Sequence, residues 1–157
     1  MNATAKRKRA AKPEPAVTVQ RAATGPLPSP ARFRRWAQAA LRRKASVTLR
    51  IVGTREARAL NRHYRGRDYA TNVLTFVYDE ARPLAGDIAI CAPVVRREAR
   101  AQRIDALAHY AHLTVHGMLH LQGYDHVRAR DAERMERLEA RILARLGFAD
   151  PYRTDAP

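Results

Sequence analysis

The pattern of apolar and polar residues in the first half of the chain alternates between strand spacing and helix spacing. Residues 47–51 alternate between apolar and polar side chains, which is the period of a half-buried strand. β-Branched and aromatic residues predict further strands over three segments: 17–20, 71–78 and 86–91. Helical spacing predicts two helices between these strands, over residues 31–44 and 54–64.

The last third of the chain has the pattern of three helices, over residues 93–102, 105–121 and 131–146. The third has a charged side and an apolar stripe formed by Met135, Leu138, Ile142 and Leu146. In the second, apolar residues point in several directions, so this helix should be buried on most sides. Together the elements predict a single α+β domain, in which a mixed four-stranded sheet packs with about five helices, one of them central.

Length and composition fit one domain preceded by a short tail. The 157 residues are 46% hydrophobic, which is enough for one continuous core. Residues 1–15 are basic, lack an apolar period and contain Pro13 and Pro15, which predicts a disordered tail ahead of a domain over 16–157. An organellar transit peptide is the weaker alternative for this tail, because amphipathic spacing is missing. Apolar runs are too short for a membrane span or a secretion signal, so we expect a cytoplasmic protein.

The charge of the chain is strongly positive. Thirty Lys and Arg residues against fifteen Asp and Glu residues give a formal net charge of +15. Leaving out the five basic residues and the one acidic residue of the tail lowers this value by four, to +11 for the domain. Such a surface attracts polyanions, and nucleic acid is the commonest of them. A genome rich in Arg and Ala codons would raise the basic fraction without any such role.

Histidines form a stripe on the predicted central helix. His109, His112, His116 and His120 follow one another at steps of three, four and four residues, so they share one side of the helix. His116 and His120 are one turn apart, which allows their rings to converge on one ion.

A turn after this helix can bring a third imidazole to the same point. Gly123 can adopt a positive φ and end the helix, and His126 follows three residues later. Since the single cysteine, Cys91, excludes a cysteine-based site, we predict one Zn²⁺ per chain held by His116, His120 and His126. Three protein ligands leave the fourth position of zinc to water, as in catalytic rather than structural sites. The predicted role of the metal is to activate that water for hydrolysis. Nickel, copper and iron compete for imidazole ligands by affinity.

The histidine spacing also occurs in the metzincin metalloproteases. Those enzymes have Glu directly after the first histidine as a general base, and here that position is Gly117. A protease mechanism therefore lacks its proton acceptor, which argues against peptide hydrolysis.

Four segments carry distinctive motifs: HGMLHLQGYDH (116–126), YRGRDYATNVLTF (64–76), GDIAIC (86–91) and the LGF-x-DPY ending (146–152). Together they closely resemble one family, the YbeY-type single-strand-specific endoribonucleases, also called rRNA maturation factors. The resemblance covers roughly residues 45–152. It implies a bacterial hydrolase that processes ribosomal RNA, particularly the 3′ end of small-subunit RNA, and takes part in ribosome quality control. The implied partners are single-stranded RNA and the ribosome or its assembly factors. A monomer is our expectation, although the sequence leaves the oligomeric state open.

The resemblance also assigns residues. It implies His116, His120 and His126 as metal ligands, with His116 counted among the catalytic residues, and Arg65 as the functionally required arginine. An arginine between Tyr64 and Gly66 at a helix end could bind a phosphate by two parallel hydrogen bonds and stabilise charge on the phosphoryl group. Arg65 is thus predicted to act in both catalysis and substrate binding.

Several neighbouring residues have two interpretations. For His109 and His112, packing as buried polar groups is favoured over RNA contact. Asp125 could orient an imidazole or cap the turn. Strand-end hydrogen bonding explains Asn72 and Asp87 as well as catalysis does. Two rival functions also stay open: a metalloprotease-like hydrolase, and a non-catalytic ribosome-assembly factor that zinc only stabilises.

Overall fold

The computed structural model describes residues 16–79 and 83–153, and these form one α+β fold. Its strands are β1 Val17–Arg21, β2 Ala45–Val52, β3 Val73–Asp79 and β4 Leu84–Cys91. Its helices are α1 Pro30–Ala39, α2 Thr54–Arg65, α3 Ala92–Gln102, α4 Ala106–Leu121 and α5 Ala129–Arg145. The predicted tail over residues 1–15 lies outside the described residues.

The four strands make one mixed sheet in the order β1-β2-β4-β3. β1, β2 and β4 run parallel, and β3 pairs antiparallel with β4 at the edge of the sheet. The parallel strands are joined through helices because a parallel connection needs a crossover. The predicted mixed four-stranded sheet with five helices is confirmed.

Helix α4 is the centre of the core. It packs against α1, α3 and α5 and against strands β3 and β4. Val115, Met118 and Leu119 are fully buried, as expected for a helix enclosed on most sides. The residues of α4 that remain partly accessible include His112, His116 and His120, so the histidine stripe is the side of the helix that reaches the surface.

The predicted end of α1 at residue 44 was wrong, since the helix ends at Ala39. The cause is a side chain 80 residues away. Gln122 accepts a hydrogen bond from the backbone N–H of Arg42 at 2.7 Å and donates to the carbonyl of Ala40 at 2.8 Å. These bonds pair backbone groups that a longer helix would have paired internally, and β2 then begins at Ala45.

Two glycines allow α4 to lie directly on the sheet. A Cβ at Gly117 would stand 3.0 Å from Ile88 of β4. A Cβ at Gly86 would stand 2.5 Å from the carbonyl oxygen of Phe76 and 2.7 Å from a methyl group of Leu121. The absence of side chains at these positions therefore sets the distance between the central helix and the sheet.

Gly86→Ala is expected to destabilise the fold by about 3 kcal/mol, because the carbonyl it would meet belongs to a paired strand and cannot move aside cheaply. The measurement is the free energy of unfolding from urea denaturation. Gly53→Ala is the control, since a Cβ there meets nothing within 4 Å. It should cost less than about 1 kcal/mol. Equal effects of the two substitutions would contradict this account of the packing.

Within the described residues, no helix is both long and apolar enough to span a bilayer. Cys91 is a buried free thiol at the end of β4.

Candidate metal centre

Three imidazoles come together at the exposed end of the histidine stripe. The ring centroids of His116 and His120 are 6.4 Å apart, and the ring of His126 lies 5.6 Å from each of them. Three imidazoles around a tetrahedral ion, with metal–nitrogen distances of about 2.0 to 2.1 Å, would have centroids about 5 Å apart. The rings would therefore have to move inward to bind one ion.

Hydrogen bonds fix the orientation of two of these rings. Nδ1 of His116 lies 2.7 Å from a carboxylate oxygen of Glu139, and Nδ1 of His120 lies 3.1 Å from the carbonyl oxygen of Tyr124. With Nδ1 bonded to an acceptor, the proton sits on that nitrogen and Nε2 keeps its lone pair for a metal. Burial lowers the pKa of His120, which keeps this ring neutral at physiological pH.

The turn after α4 brings His126 to the other two rings. Gly123 has a φ of +101°, a conformation that favours glycine, and the next N–H, from Tyr124, donates to the carbonyl of Leu119. Oδ1 of Asp125 then accepts hydrogen bonds from the backbone N–H groups of His126 at 2.6 Å and Val127 at 3.1 Å. Asp125 therefore caps the turn, which was one of its two predicted roles.

A second group of possible ligands shares His116. Ligand atoms of His112, His116 and Glu139 all lie within 4.8 Å of one another, so these three residues could also hold a metal ion. In the structure the contacts among them are hydrogen bonds. Nε2 of His112 lies 2.9 Å from Glu139, and the hydroxyl of Tyr152 donates to the same carboxylate oxygen.

Glu139 is a buried carboxylate that sequence reasoning missed. Its side chain is 1% exposed. Burial raises the pKa of this carboxyl, but the hydrogen bonds from His112, His116 and Tyr152 outweigh burial and lower the pKa to about 2. The carboxylate is therefore charged at neutral pH.

The sequence did contain a signal for Glu139. The residue falls within the apolar stripe of α5, between Leu138 and Ile142, whereas an ordinary solvated Glu falls on the opposite side. An acidic residue on the buried side of a helix needs hydrogen-bond donors, and the histidine stripe of α4 is the obvious source. For Tyr152 no comparable signal exists, because it follows the last helix in a loop.

The other end of the histidine stripe is a packing network. His109 is buried, and its Nε2 lies 3.0 Å from Glu98 of α3. The amide of Asn72 donates to the same carboxylate at 3.0 Å. These contacts support the packing interpretation of His109 and the hydrogen-bonding interpretation of Asn72. Asp87 likewise accepts a hydrogen bond from Tyr78 of the neighbouring strand.

Arg65 is the last residue of α2, and its guanidinium donates to the carbonyl of Thr75 in β3 at 3.3 Å. The next residue, Gly66, has a φ of +68° and ends the helix as predicted. Strand β3 also packs against α4, where Val73 lies beside Gly117. Arg65 and the helix that carries the histidines therefore contact the same edge strand.

The fold and this centre define a class: a basic α+β protein whose central helix presents histidines to the surface. A family model described as Endoribonuclease YbeY matches residues 29–147. The chain belongs to this family, and the resemblance found in the sequence motifs is confirmed.

Relatives named Endoribonuclease YbeY extend the similarity over most of the chain. The protein of Aromatoleum aromaticum is 59% identical over 141 residues, covering 87% of this chain and 92% of that protein. The protein of Thiobacillus denitrificans is 61% identical over 128 residues, covering 80% and 87%. That of Nitrosospira multiformis is 53% identical over 163 residues, covering 92% and 86%.

Proposed function

We propose that this protein is a zinc-dependent endoribonuclease specific for single-stranded RNA. In this proposal it acts in the cytoplasm, in the 3′-end maturation of small-subunit ribosomal RNA and in ribosome quality control, together with the ribosome or its assembly factors. Its relatives carry the name of an endoribonuclease, and the basic chain suits an RNA substrate.

The observation that carries the proposal is the orientation of the imidazoles. His116 and His120 each have Nδ1 beside an acceptor, and the ring centroid of His126 lies 5.6 Å from the centroids of both. These three residues are the proposed ligands of a single zinc ion. When bound, zinc would act as a Lewis acid and activate water for attack on a phosphodiester.

In this proposal Glu139 orients a ligand and does not bind the metal. Metal-ligating histidines commonly donate their second ring nitrogen to a carboxylate, which fixes the tautomer and raises the basicity of the ligand. The contact between His116 and Glu139 has this form. Both oxygens of Glu139 already accept hydrogen bonds. Oε1 accepts from His116, and Oε2 accepts from His112 and Tyr152.

Arg65 is proposed to bind the scissile phosphate. Among the described residues its guanidinium donates to a neutral carbonyl, that of Thr75, at 3.3 Å, and a neutral acceptor does not cancel its positive charge. During hydrolysis the water oxygen forms a bond to phosphorus and a ribose oxygen leaves, while negative charge grows on the phosphoryl oxygens. A guanidinium held against those oxygens stabilises that charge.

Arg65→Ala is expected to lower the cleavage rate of single-stranded RNA by about 10²- to 10³-fold, the usual cost of removing one group that stabilises developing charge. Metal content and melting temperature should stay at wild-type values, because Arg65 lies at a helix end away from the core. The measurement is cleavage of precursor small-subunit RNA and of intact ribosomes by the metal-loaded protein.

Arg55→Ala is the matched control for this experiment, since Arg55 is an exposed arginine at the other end of α2. It should cleave RNA at nearly the wild-type rate. If the wild type and Arg65→Ala were equally inactive on every RNA, the nuclease proposal would fail and a non-catalytic assembly factor would be favoured.

A metalloprotease is not supported by the packing of α4. Gly117 occupies the position at which a metzincin protease has its general base. A side chain placed there would point at Ile88 and Val73 of the sheet. Cleavage of casein but not of RNA by the purified protein would reverse this preference.

A further inference from the structure

A cavity of about 290 Å³ lies between the loop after α1, the turn after α4 and one side of α5. Four arginines line it: Arg42, Arg134, Arg141 and Arg145. Among the described residues that line it there is no Asp or Glu. Four guanidiniums around one hollow without a carboxylate repel one another, which favours an anionic ligand between them.

Three of the four cavity arginines belong to helix α5. Arg134, Arg141 and Arg145 follow at steps of seven and four residues, so they lie on one side of the helix. A neighbouring hollow on α5 is lined by Glu133, Glu136 and Arg137, and Arg141 borders both hollows. Asp131 lies beside Arg134 in a third hollow at the turn after α4, so the acidic residues of α5 flank the arginine cavity and do not line it.

A hydrogen bond to Gln122 holds the backbone of Arg42 at the cavity. Its backbone N–H donates to Gln122 at 2.7 Å, and the amide of Gln122 donates in turn to the carbonyls of Ala40 and Met118 at 2.8 Å each. These bonds tie the end of α1 to the end of α4. The backbone that carries Arg42 is therefore fixed before any ligand binds, which reduces the entropy lost on binding.

The cavity adjoins the proposed metal centre through Tyr124. This residue lines the cavity, and its carbonyl oxygen is the acceptor for Nδ1 of His120. A strand of nucleic acid that reaches the metal centre over this turn therefore passes the four arginines.

We infer that this arginine cavity binds phosphodiester groups of single-stranded RNA next to the scissile bond, so that it holds the substrate strand across the metal centre. The inference rests on the proposed function and adds a second contact region to it. Guanidiniums bind phosphate oxygens by paired hydrogen bonds, and each phosphate contact displaces counterions from the RNA. An acidic protein would also be attracted by the charge, but the position of the cavity beside the metal centre favours the substrate strand.

The test compares two double variants that each remove two positive charges. Arg134→Gln with Arg145→Gln changes the cavity, while Arg100→Gln with Arg137→Gln changes exposed arginines of α3 and of the neighbouring hollow on α5. Binding of a labelled single-stranded 2′-O-methyl phosphorothioate RNA to the metal-loaded protein is measured by fluorescence anisotropy over a range of salt concentrations. Gel electrophoresis afterwards verifies that the RNA is intact.

The cavity variant should bind about 25-fold more weakly at about 0.1 M salt, with a slope of log affinity against log salt that is smaller by about 1.4, because each contact to a single strand contributes about 0.7. The control variant should keep the wild-type slope. Arg134→Lys with Arg145→Lys keeps the charge and should largely restore the slope. Melting temperatures establish that all variants fold.

Equal losses in the cavity and control variants would overturn the inference, since net charge alone would then explain binding. Loss of poly-glutamate binding with unchanged RNA binding would also overturn it and indicate an acidic protein partner. RNA cleavage by the wild type is measured separately. A wild type that binds RNA through the cavity but never cleaves it would leave the inference standing while the nuclease proposal failed.

Discussion

Glu139→Ala is expected to lower the free energy of unfolding by about 3 to 5 kcal/mol, the usual cost of breaking a buried charged network by removing one partner. The substitution takes away the acceptor of three hydrogen bonds, from His112, His116 and Tyr152, and opens a cavity beside the core of α5. A loss of this size is a large part of the stability of an ordinary domain.

The same substitution should weaken zinc binding by about 10- to 100-fold, because His116 loses the carboxylate that fixes its tautomer. Both effects are measurable on one protein preparation, by urea denaturation and by competition with a zinc chelator. Glu139→Gln keeps the shape of the side chain but turns one acceptor into a donor. Its free energy of unfolding and its zinc affinity should therefore fall between those of the wild type and of Glu139→Ala.

Glu133→Ala is the control for general charge effects, because Glu133 is an exposed carboxylate of the same helix. It should change neither the stability nor the zinc affinity appreciably. A Glu139→Ala protein with wild-type stability would contradict the buried network as described.

His126→Ala is expected to remove stoichiometric zinc and to lower RNA cleavage by about 10³-fold or more. A catalytic metal supplies several kcal/mol of transition-state stabilisation, and each 1.4 kcal/mol is tenfold in rate. The melting temperature of the metal-free protein should stay unchanged, since His126 is exposed on the turn. Metal content by mass spectrometry and initial rates on single-stranded RNA are the measurements.

His112→Ala is the matched comparison, because His112 belongs to the second group of possible ligands and contacts Glu139. The proposed site predicts that this variant keeps its zinc with reduced affinity. If zinc were instead held by His112, His116 and Glu139, the zinc contents of the two variants would be exchanged. His112→Ala would then lose the metal, and His126→Ala would keep it.

The local patterns of the sequence predicted most of the secondary structure because helices and strands here bury one side or all sides. Helical spacing predicted α1, and its residues Phe33, Trp36 and Ala37 are buried. The end of α1 could not be predicted, since it depends on Gln122 from the end of α4. A side chain that pairs backbone groups 80 residues away leaves no periodic signal near the helix that it ends.

Local patterns in the sequence singled out the three histidines of the proposed site. His116 and His120 were found from their spacing, and His126 from a glycine that ends the helix. Glu139 was missed because its partners come from α4, so its role appears only when the two helices are packed together. Arg65 was singled out by the family resemblance alone, since many exposed arginines in this chain have the same local sequence character.

The most direct measurement of the proposed centre is anomalous diffraction at the zinc edge from crystals of the zinc-loaded protein. We predict one ion per chain, bonded at about 2.0 to 2.1 Å to ring nitrogens of His116, His120 and His126. Glu139 should then remain hydrogen-bonded to Nδ1 of His116. An ion bonded to a carboxylate oxygen of Glu139 and to Nε2 of His112, or no ion after stoichiometric loading, would contradict the account.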